Sequence, residues 1–479
     1  MWTDPTRRDF LSRSGLGFGS VALSYLLGGV SRAASTNPLA ARKPPLPATV
    51  KNVIFLFMHG GPSHLDTFDP KPLINQLDGK PVPESFGDVQ LQFSKFREMP
   101  ILGSRRTFAR YGQSGMEISD LFPHLAQHAD SIAVIRSMQH DGFTHTAALN
   151  WLNNGWPRLG RPSFGSWVVY GLGSESDSLP AFVVLLEGGI KSGPPVYGSG
   201  FLPAAYQGTV LRNGPAPILN ARRPDGISSE GQRELLDNLK WFNERHLESR
   251  ADDSNLAARI ASYELAFRMQ MAVPELADLT KETEATRRLY GVDDRRTSDF
   301  GSRCLLARRL VERGVRFVQV WSGSTTGTSD WDGHKQCDKN HVEIAGRVDR
   351  PIAGLLADLK SRGLLDSTLV IWGGEFGRTP TSDGSLNGGG DSLGRDHNPY
   401  GFTIWMAGGG VRGGKVIGRT DEIGLRAVED PVHVHDLHAT MLRMLGLDHE
   451  KLTYFFQGRD FRLTDVHGNT DLVKRLTRS

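Results

Sequence analysis

The strongest constraint in this sequence is a set of short, uninterrupted apolar runs, each cut off by glycine, serine or histidine. Val53 to Met58 reads VIFLFM and stops at His59-Gly60-Gly61. Similar runs recur at 131–137 (SIAVIRS), 179–186 (LPAFVVLL), 315–322 (VRFVQVWS), 367–374 (STLVIWGG) and 402–409 (FTIWMAGG). A strand that is apolar at successive positions must be covered on both faces, as in a largely parallel α/β sheet clad in helices. Helical patterns supply the cover: Asp120 to His128, Gln232 to Glu248, Asn255 to Met271, and His341 to Lys360 with Ile344, Val348, Ile352, Leu355 and Leu359 ahead of Gly363. Leu235, Leu239 and Phe242 share one stripe of the second. Segment 188–230 has weak periodicity and reads as an irregular excursion over the sheet, and 383–396 as a polar loop near the site. With no internal repeat, the expectation is one large three-layer α/β domain over 51–470, built on a central, mostly parallel sheet.

The N-terminus carries a different signal. Thr6 begins TRRDFLS, and Ser14 to Val30 holds 17 residues without a charge, followed by the small residues of RAAS. A basic stretch, a mildly apolar segment and small residues make an export signal, and paired Arg7 and Arg8 point to the twin-arginine translocase. The segment is short of the roughly 20 apolar residues a bilayer span needs. Residues 1–34 are therefore read as the signal and 35–50 as a linker, with the mature chain in the periplasm or cell envelope and without a stable membrane span. The full chain has a formal charge of +3; loss of four arginines and two aspartates with the signal leaves about +1. That gives no electrostatic case for nucleic acid as a partner. Cys304 and Cys337 are too few for a disulfide scaffold and either pair or stay free.

Ionisable groups follow the apolar runs. HGGPSHLDTFDPKP supplies His59, His64, Asp66 and Asp69; RSMQHDGFTH supplies His140, Asp141 and His145; SDWDGH supplies Asp330, Asp332 and His334. Glu375 in WGGEFGRTP joins Asp396 and His397 in GRDHNPYG, and VHVHDLHATML holds His433, His435, Asp436 and His438. Mixed imidazole and carboxylate donors suit zinc, manganese or iron. The set His59, Asp332, His334, Glu375 and His397 is expected to share one metal centre. Asp436 reads as a helix cap, which leaves His435 as the better candidate for facing the site. Arg378 and Thr379 either grip an oxyanion or hold their loop. Trp321, Trp331, Trp372 and Trp405 are expected in the core or as loop anchors. No phosphate-binding GxxxxGK[ST] loop or GxSxG elbow is present, and no GxGxxG opens a helix after the first apolar run.

These segments also resemble a known family. GGPSHLDTFDPKP, RSMQHDGFTH, SYELAFRMQ, ATRRLYG, WDGH, GEFGRTP, GRDH with AGGGVRGG, and DLHATMLRMLGLDHEKLTYFFQGRD are similar to the bacterial DUF1501 family, across about residues 50 to 470. The family looks like a branch of the alkaline phosphatase superfamily, often described as sulfatase-like. The resemblance implies metals at the C-terminal edge of a mixed sheet. It implies a strand-end slot at His59 with Asp66 the nearest carboxylate, an aspartate–histidine pair at Asp332 and His334, and later slots at Glu375 and His397. Phe376 stands where a second histidine would follow Glu375. The nucleophile slot falls on His145 beside Thr144, without the C/S-x-P-x-R pattern of formylglycine sulfatases.

The activity implied is metal-assisted hydrolysis of a phosphate or sulfate ester, free or on a sulfated or phosphorylated glycan. A divalent ion (zinc, manganese, iron or calcium) would sit on Asp332, His334 and His397, with Glu375 or His59 at a second position. Catalytic roles fall to His145, Thr144 and His140, with Arg378 on the oxyanion. The alternative is a non-catalytic envelope protein that binds anionic glycans in the same cleft.

Overall fold

The structure, a computed structural model, describes residues 37–91, 95–213, 217–218, 226–248, 254–325, 330–383 and 393–477. The export segment 1–34 and residues 384–392 of the polar loop lie outside the described residues.

The chain enters β1 (Asn52–Met58), makes a hairpin of β2 (Phe108–Tyr111) and β3 (Met116–Ser119), and returns to the main sheet as β4 (Ile132–Gln139). β5 (Phe182–Leu185), β6 (Thr209–Leu211), β7 (Phe317–Ser322) and β8 (Thr368–Gly373) follow. A ribbon of β9 (Gly377–Ser382) and β10 (Arg395–Asn398) leads into β11 (Phe402–Ala407) and β12 (Lys415–Ile417). A second ribbon, β13 (Arg419–Thr420) with β14 (Ala427–Glu429), precedes β15 (Val432–His433). The main sheet has nine strands in the order β12-β4-β11-β8-β1-β7-β5-β6, with β15 on β4. All its pairings are parallel except those of β11, which runs against both β4 and β8. This is an α/β fold on a mixed, mostly parallel sheet.

The unbroken apolar runs find their reason here. Successive residues of β1 enter opposite cores: Ile54, Leu56 and Met58 one, Val53, Phe55 and Phe57 the other, none more than 2% exposed. The first core packs under the helices Ser298–Glu312 and Cys337–Ser361, the second under His145–Asn154, Phe164–Leu172 and Val434–Met444. Burying each large side chain contributes about 1.5–3 kcal/mol of transfer free energy. Trp321, Trp331, Trp372 and Trp405 are all core residues.

Other expectations shift in detail. The helix expected over 120–128 is a 3-10 stretch, Leu125–Ser131, and the one expected from His341 begins at Cys337. Residues 37–50 lie as irregular chain against the body: Leu39 and Val50 are buried, and the Leu46 and Thr49 amides donate to the carbonyls of Gly446 and Met444. Leu235, Leu239 and Phe242 stay 54%, 40% and 64% exposed. Cys304 and Cys337 are free and buried, and burial pushes the Cys337 thiol up to about 12. Among the described residues no helix is long and apolar enough to cross a membrane.

Candidate metal centre

The sheet delivers its ionisable groups to one margin. β7 and β8 are parallel to β1, and β11 is antiparallel to both β8 and β4, so β1, β4, β7 and β8 all end on the same side. His59 follows β1, His140 and His145 follow β4, Asp330, Asp332 and His334 follow β7, and Glu375 follows β8. β11 starts from that side, which brings His397 of β10 to it as well. Close contact between the loops requires Gly60. Its φ is +107°, and a Cβ there would stand 2.5 Å from the Asp332 amide nitrogen. The Trp331 amide donates to the His59 carbonyl at 2.8 Å, locking the first loop to the third.

His145, Asp332, His334 and His397 each offer one donor atom within 4.8 Å of all the others. Three of these atoms form a tight triangle. His334 Nε2 lies 2.9 Å from His397 Nε2, and Asp332 Oδ1 is 3.1 Å from the first and 3.3 Å from the second. Atoms bound to one ion at about 2.0–2.1 Å stand roughly 2.9–3.4 Å apart, so the triangle already has the span of a shared coordination shell.

The far side of each ring sets its tautomer. His334 Nδ1 faces an Asp383 carboxylate oxygen at 2.5 Å, and His397 Nδ1 faces the Phe143 carbonyl at 2.8 Å. Both partners only accept, so each Nδ1 donates and each Nε2 turns a lone pair toward the triangle. Metal-binding histidines are oriented by such outer contacts. Two lone pairs facing each other at this distance repel unless a positive charge stands between them. Without an ion the charge must be a proton. Burial pulls the His397 ring well below its ordinary pKa, whereas His334, despite burial, is raised by Asp332 and Asp383. His334 is therefore where that proton goes.

Asp332 links the triangle to a second group of acceptors. Its Oδ2 lies 2.5 Å from Lys191 Nζ and 3.0 Å from His145 Nε2. Lys191 Nζ also contacts His145 Nε2 at 2.8 Å and Asp330 Oδ2 at 3.2 Å. Behind His145, Glu375 accepts from Nδ1 at 2.9 Å and takes the Gly60 amide on both carboxylate oxygens, at 2.9 and 3.1 Å. Burial would raise the Glu375 carboxyl, but the hydrogen bond from His145 holds it at about 2. Burial likewise opposes ionisation of Asp332, yet the Arg378 guanidinium beside it keeps it far below the usual carboxylate range. Both carboxylates are ionised at neutral pH.

Other expected residues take different positions. Asp66 stays outside the cluster: its carboxylate accepts from Ser63 and Ser104 at 2.5 Å each and from Arg395 at 3.1 Å, a buried set that leaves it no part in an ion. Arg378 is fully buried and faces inward. It donates to Asp332 Oδ1 at 2.7 Å and to the carbonyls of Gly60, Gly61 and Arg395, so it braces the loops and does not reach an outside oxyanion. Thr144 is the N-cap of His145–Asn154, its hydroxyl accepting from the Ala147 amide at 3.5 Å. His140 spends both ring nitrogens on backbone, donating to the Glu375 carbonyl at 2.5 Å and accepting from the Gly142 amide at 2.9 Å. His59 accepts the Lys191 amide at 3.2 Å. His435 is turned to the Gly155 carbonyl at 2.9 Å and packs against Trp151 and His467. Asp436 caps the same helix by accepting from the His433 amide at 3.1 Å.

Two residues of the centre escape a reading of the sequence. Lys191 sits in the glycine-rich excursion after β5, where a single lysine looks like solvated surface. Asp383 follows β9 at the start of the polar loop and reads as a turn residue. The only signal for either is nearness to the site in a segment already read as covering it.

The family profile described as "Protein of unknown function (DUF1501)" matches residues 50–474. Among solved structures, the chain is similar to PsFucS1 sulfatase from Pseudoalteromonas sp., at 14% identity over 97% of this chain and 76% of that one, TM-score 0.38. It is similar to alkaline phosphatase from the Antarctic bacterium TAB5, at 14% identity over 80% and 96% of the two chains, TM-score 0.32. It is also similar to phosphonate monoester hydrolase SpPMH from Silicibacter pomeroyi, at 14% identity over 72% of each chain, TM-score 0.32. No curated protein matches it.

Proposed function

The chain belongs to the DUF1501 family, and on that footing we propose that it is a metal-dependent hydrolase of phosphate or sulfate esters. The observation that supports this most is the triangle of Asp332, His334 and His397, whose two rings are held by Asp383 and Phe143 with their lone pairs inward. Three protein donors leave part of an ion's shell open to a ligand, the arrangement of hydrolytic sites. Two imidazoles with one carboxylate favour zinc, manganese or iron over calcium, which takes six to eight oxygens. Bound there, such an ion supplies Lewis-acid polarisation of an ester oxygen and lowers the pKa of a coordinated water toward about 7.

The remaining work falls to the protein. Glu375 holds the proton of His145 on Nδ1, which leaves Nε2 to accept a proton from water at the open side of the centre. Lys191 Nζ, 2.8 Å from that Nε2, would release it to donate to an ester oxygen when substrate enters. Arg378 keeps Asp332 ionised and in place. No step requires the Thr144 hydroxyl, which is occupied as a cap.

The test is turnover by the full chain, loaded separately with zinc, manganese or iron, on aryl phosphate monoesters, phosphodiesters and sulfate esters. Turnover that disappears in a folded His397→Ala variant supports the reading. Stoichiometric metal without turnover on all three ester classes contradicts hydrolysis, and retained binding to sulfated polysaccharide in that case would favour the glycan-binding alternative. A place outside the cytoplasm, reached through the twin-arginine translocase, rests on residues 1–34 alone. Retention of an Arg7→Lys, Arg8→Lys variant in the cytoplasm would support it, and unchanged export would count against it.

A further inference from the structure

The helix Ser229–Glu248 lies against its own protein with its polar face and turns its apolar face outward. Arg233 donates to both carboxylate oxygens of Glu264, at 2.8 and 3.2 Å, and so ties this helix to its neighbour Ser254–Ala277. Its guanidinium also stands over the Phe267 ring at 5.1 Å. Lys240 and Glu244, on the same side of the helix as Arg233, line the cavity that the helix closes against Leu39, Glu175 and Ala181. Leu235, Leu239 and Phe242 begin two positions after Arg233, which at about 100° per residue sets them about 200° away. All three are exposed, as is Trp241. A helix whose only neighbour is its own core faces the other way, with its apolar stripe inward.

The flanks of the stripe decide what fits it. Asn238 and Asn243 border it without charge, and Glu234 and Arg245 lie further round on one and the same side, within about 20° of each other. The Arg245 guanidinium is held over the Trp241 ring at 4.4 Å. Two copies of the helix, set antiparallel about a twofold axis between Leu239 and Lys240, bring Glu234 of each copy level with Arg245 of the other. One symmetry operation thus makes two opposite-charge pairs. The same register interleaves the stripes: Phe242 of one copy enters between Leu235 and Leu239 of the other, and the two Leu239 side chains meet at the axis.

We infer that this face is covered by a second copy of the chain, in an antiparallel pair of Ser229–Glu248 helices centred on Leu239. The inference goes beyond the metal-centre reading and does not depend on it, since none of these residues belongs to that site.

Sedimentation equilibrium of the full chain at micromolar concentration reads the assembly directly. The expected wild-type species is a dimer. Leu239→Glu sets two carboxylates against each other at the axis and should leave a monomer. Its far-UV circular dichroism should be unchanged, because Leu239 belongs to neither core. Glu234→Arg and Arg245→Glu should each weaken the dimer about tenfold, and the variant carrying both should restore it. A monomeric wild type, or a dimer that survives Leu239→Glu, overturns the inference. So does a double charge variant that associates no better than the two single ones, because the antiparallel register requires Glu234 and Arg245 to meet.

Discussion

His334 and His397 point their Nε2 atoms at each other across 2.9 Å, while each turns its Nδ1 to an acceptor. That opposition cannot persist without a positive charge between the rings. The two candidates are a proton, which Asp332 and Asp383 draw to His334, and a metal ion, for which the third donor is already in place. The site is thus preorganised by contacts outside its donor atoms.

Asp383→Ala removes the acceptor behind His334 and leaves the ring free to turn or to change tautomer. Zinc affinity should fall by about 10–100-fold with the fold retained, measured by competition with a chromophoric chelator. Unchanged affinity would mean that Asp383 does not orient the ligand.

Glu375→Gln keeps the shape of the side chain and the Gly60 contact but loses the charge that fixes the His145 tautomer. The turnover number should drop by about 10²–10⁴-fold at full metal occupancy. Loss of metal together with activity would instead make Glu375 part of the ion's own support.

Arg378 is buried beneath the loops after β1, β7 and β8, where it neutralises Asp332 and covers three carbonyls. Arg378→Met leaves those groups without their donor and should cost about 3–5 kcal/mol of stability, read by urea unfolding of the metal-free protein. A near-neutral effect accompanied by weakened substrate binding would restore the oxyanion role that the sequence suggested.

These three residues mark how far the sequence could be read. The apolar runs disclosed the sheet because burial on two faces leaves no room for alternation, and adjacency to strand ends picked out Asp332, His334, Glu375 and His397. Direction was not legible. Asp66 and Asp332 occur in similar His- and Asp-rich loops, but Arg395 claims the first, and Arg395 lies 329 residues away in sequence. Arg378 looked available for an anion because nothing local shows that three other loops close over it. Lys191 was invisible because its partners come from distant loops on both sides of it, His145 46 residues before and Asp332 141 residues after.

His438 gives a prediction for pH. Its Nε2 donates to the Leu152 carbonyl at 2.7 Å, and burial lowers its pKa to about 3. The unfolded chain takes up a proton there below about pH 6.5, and the folded chain does so only near 3. The unfolded state therefore binds more protons across that interval, and stability falls as pH drops through it, by up to about 1.4 kcal/mol per pH unit for this one group. His438→Gln, whose amide can still donate to Leu152, should flatten that slope in urea unfolding measured between pH 6.5 and 4. An unaltered slope would mean that His438 is not the source.

The most direct test is the X-ray absorption spectrum of the zinc-loaded full chain. Two imidazole nitrogens and a carboxylate oxygen at about 2.0–2.1 Å are expected, with one imidazole contribution lost in His397→Ala. A shell of oxygen alone, or a spectrum unchanged by that substitution, would contradict a metal centre built on Asp332, His334 and His397.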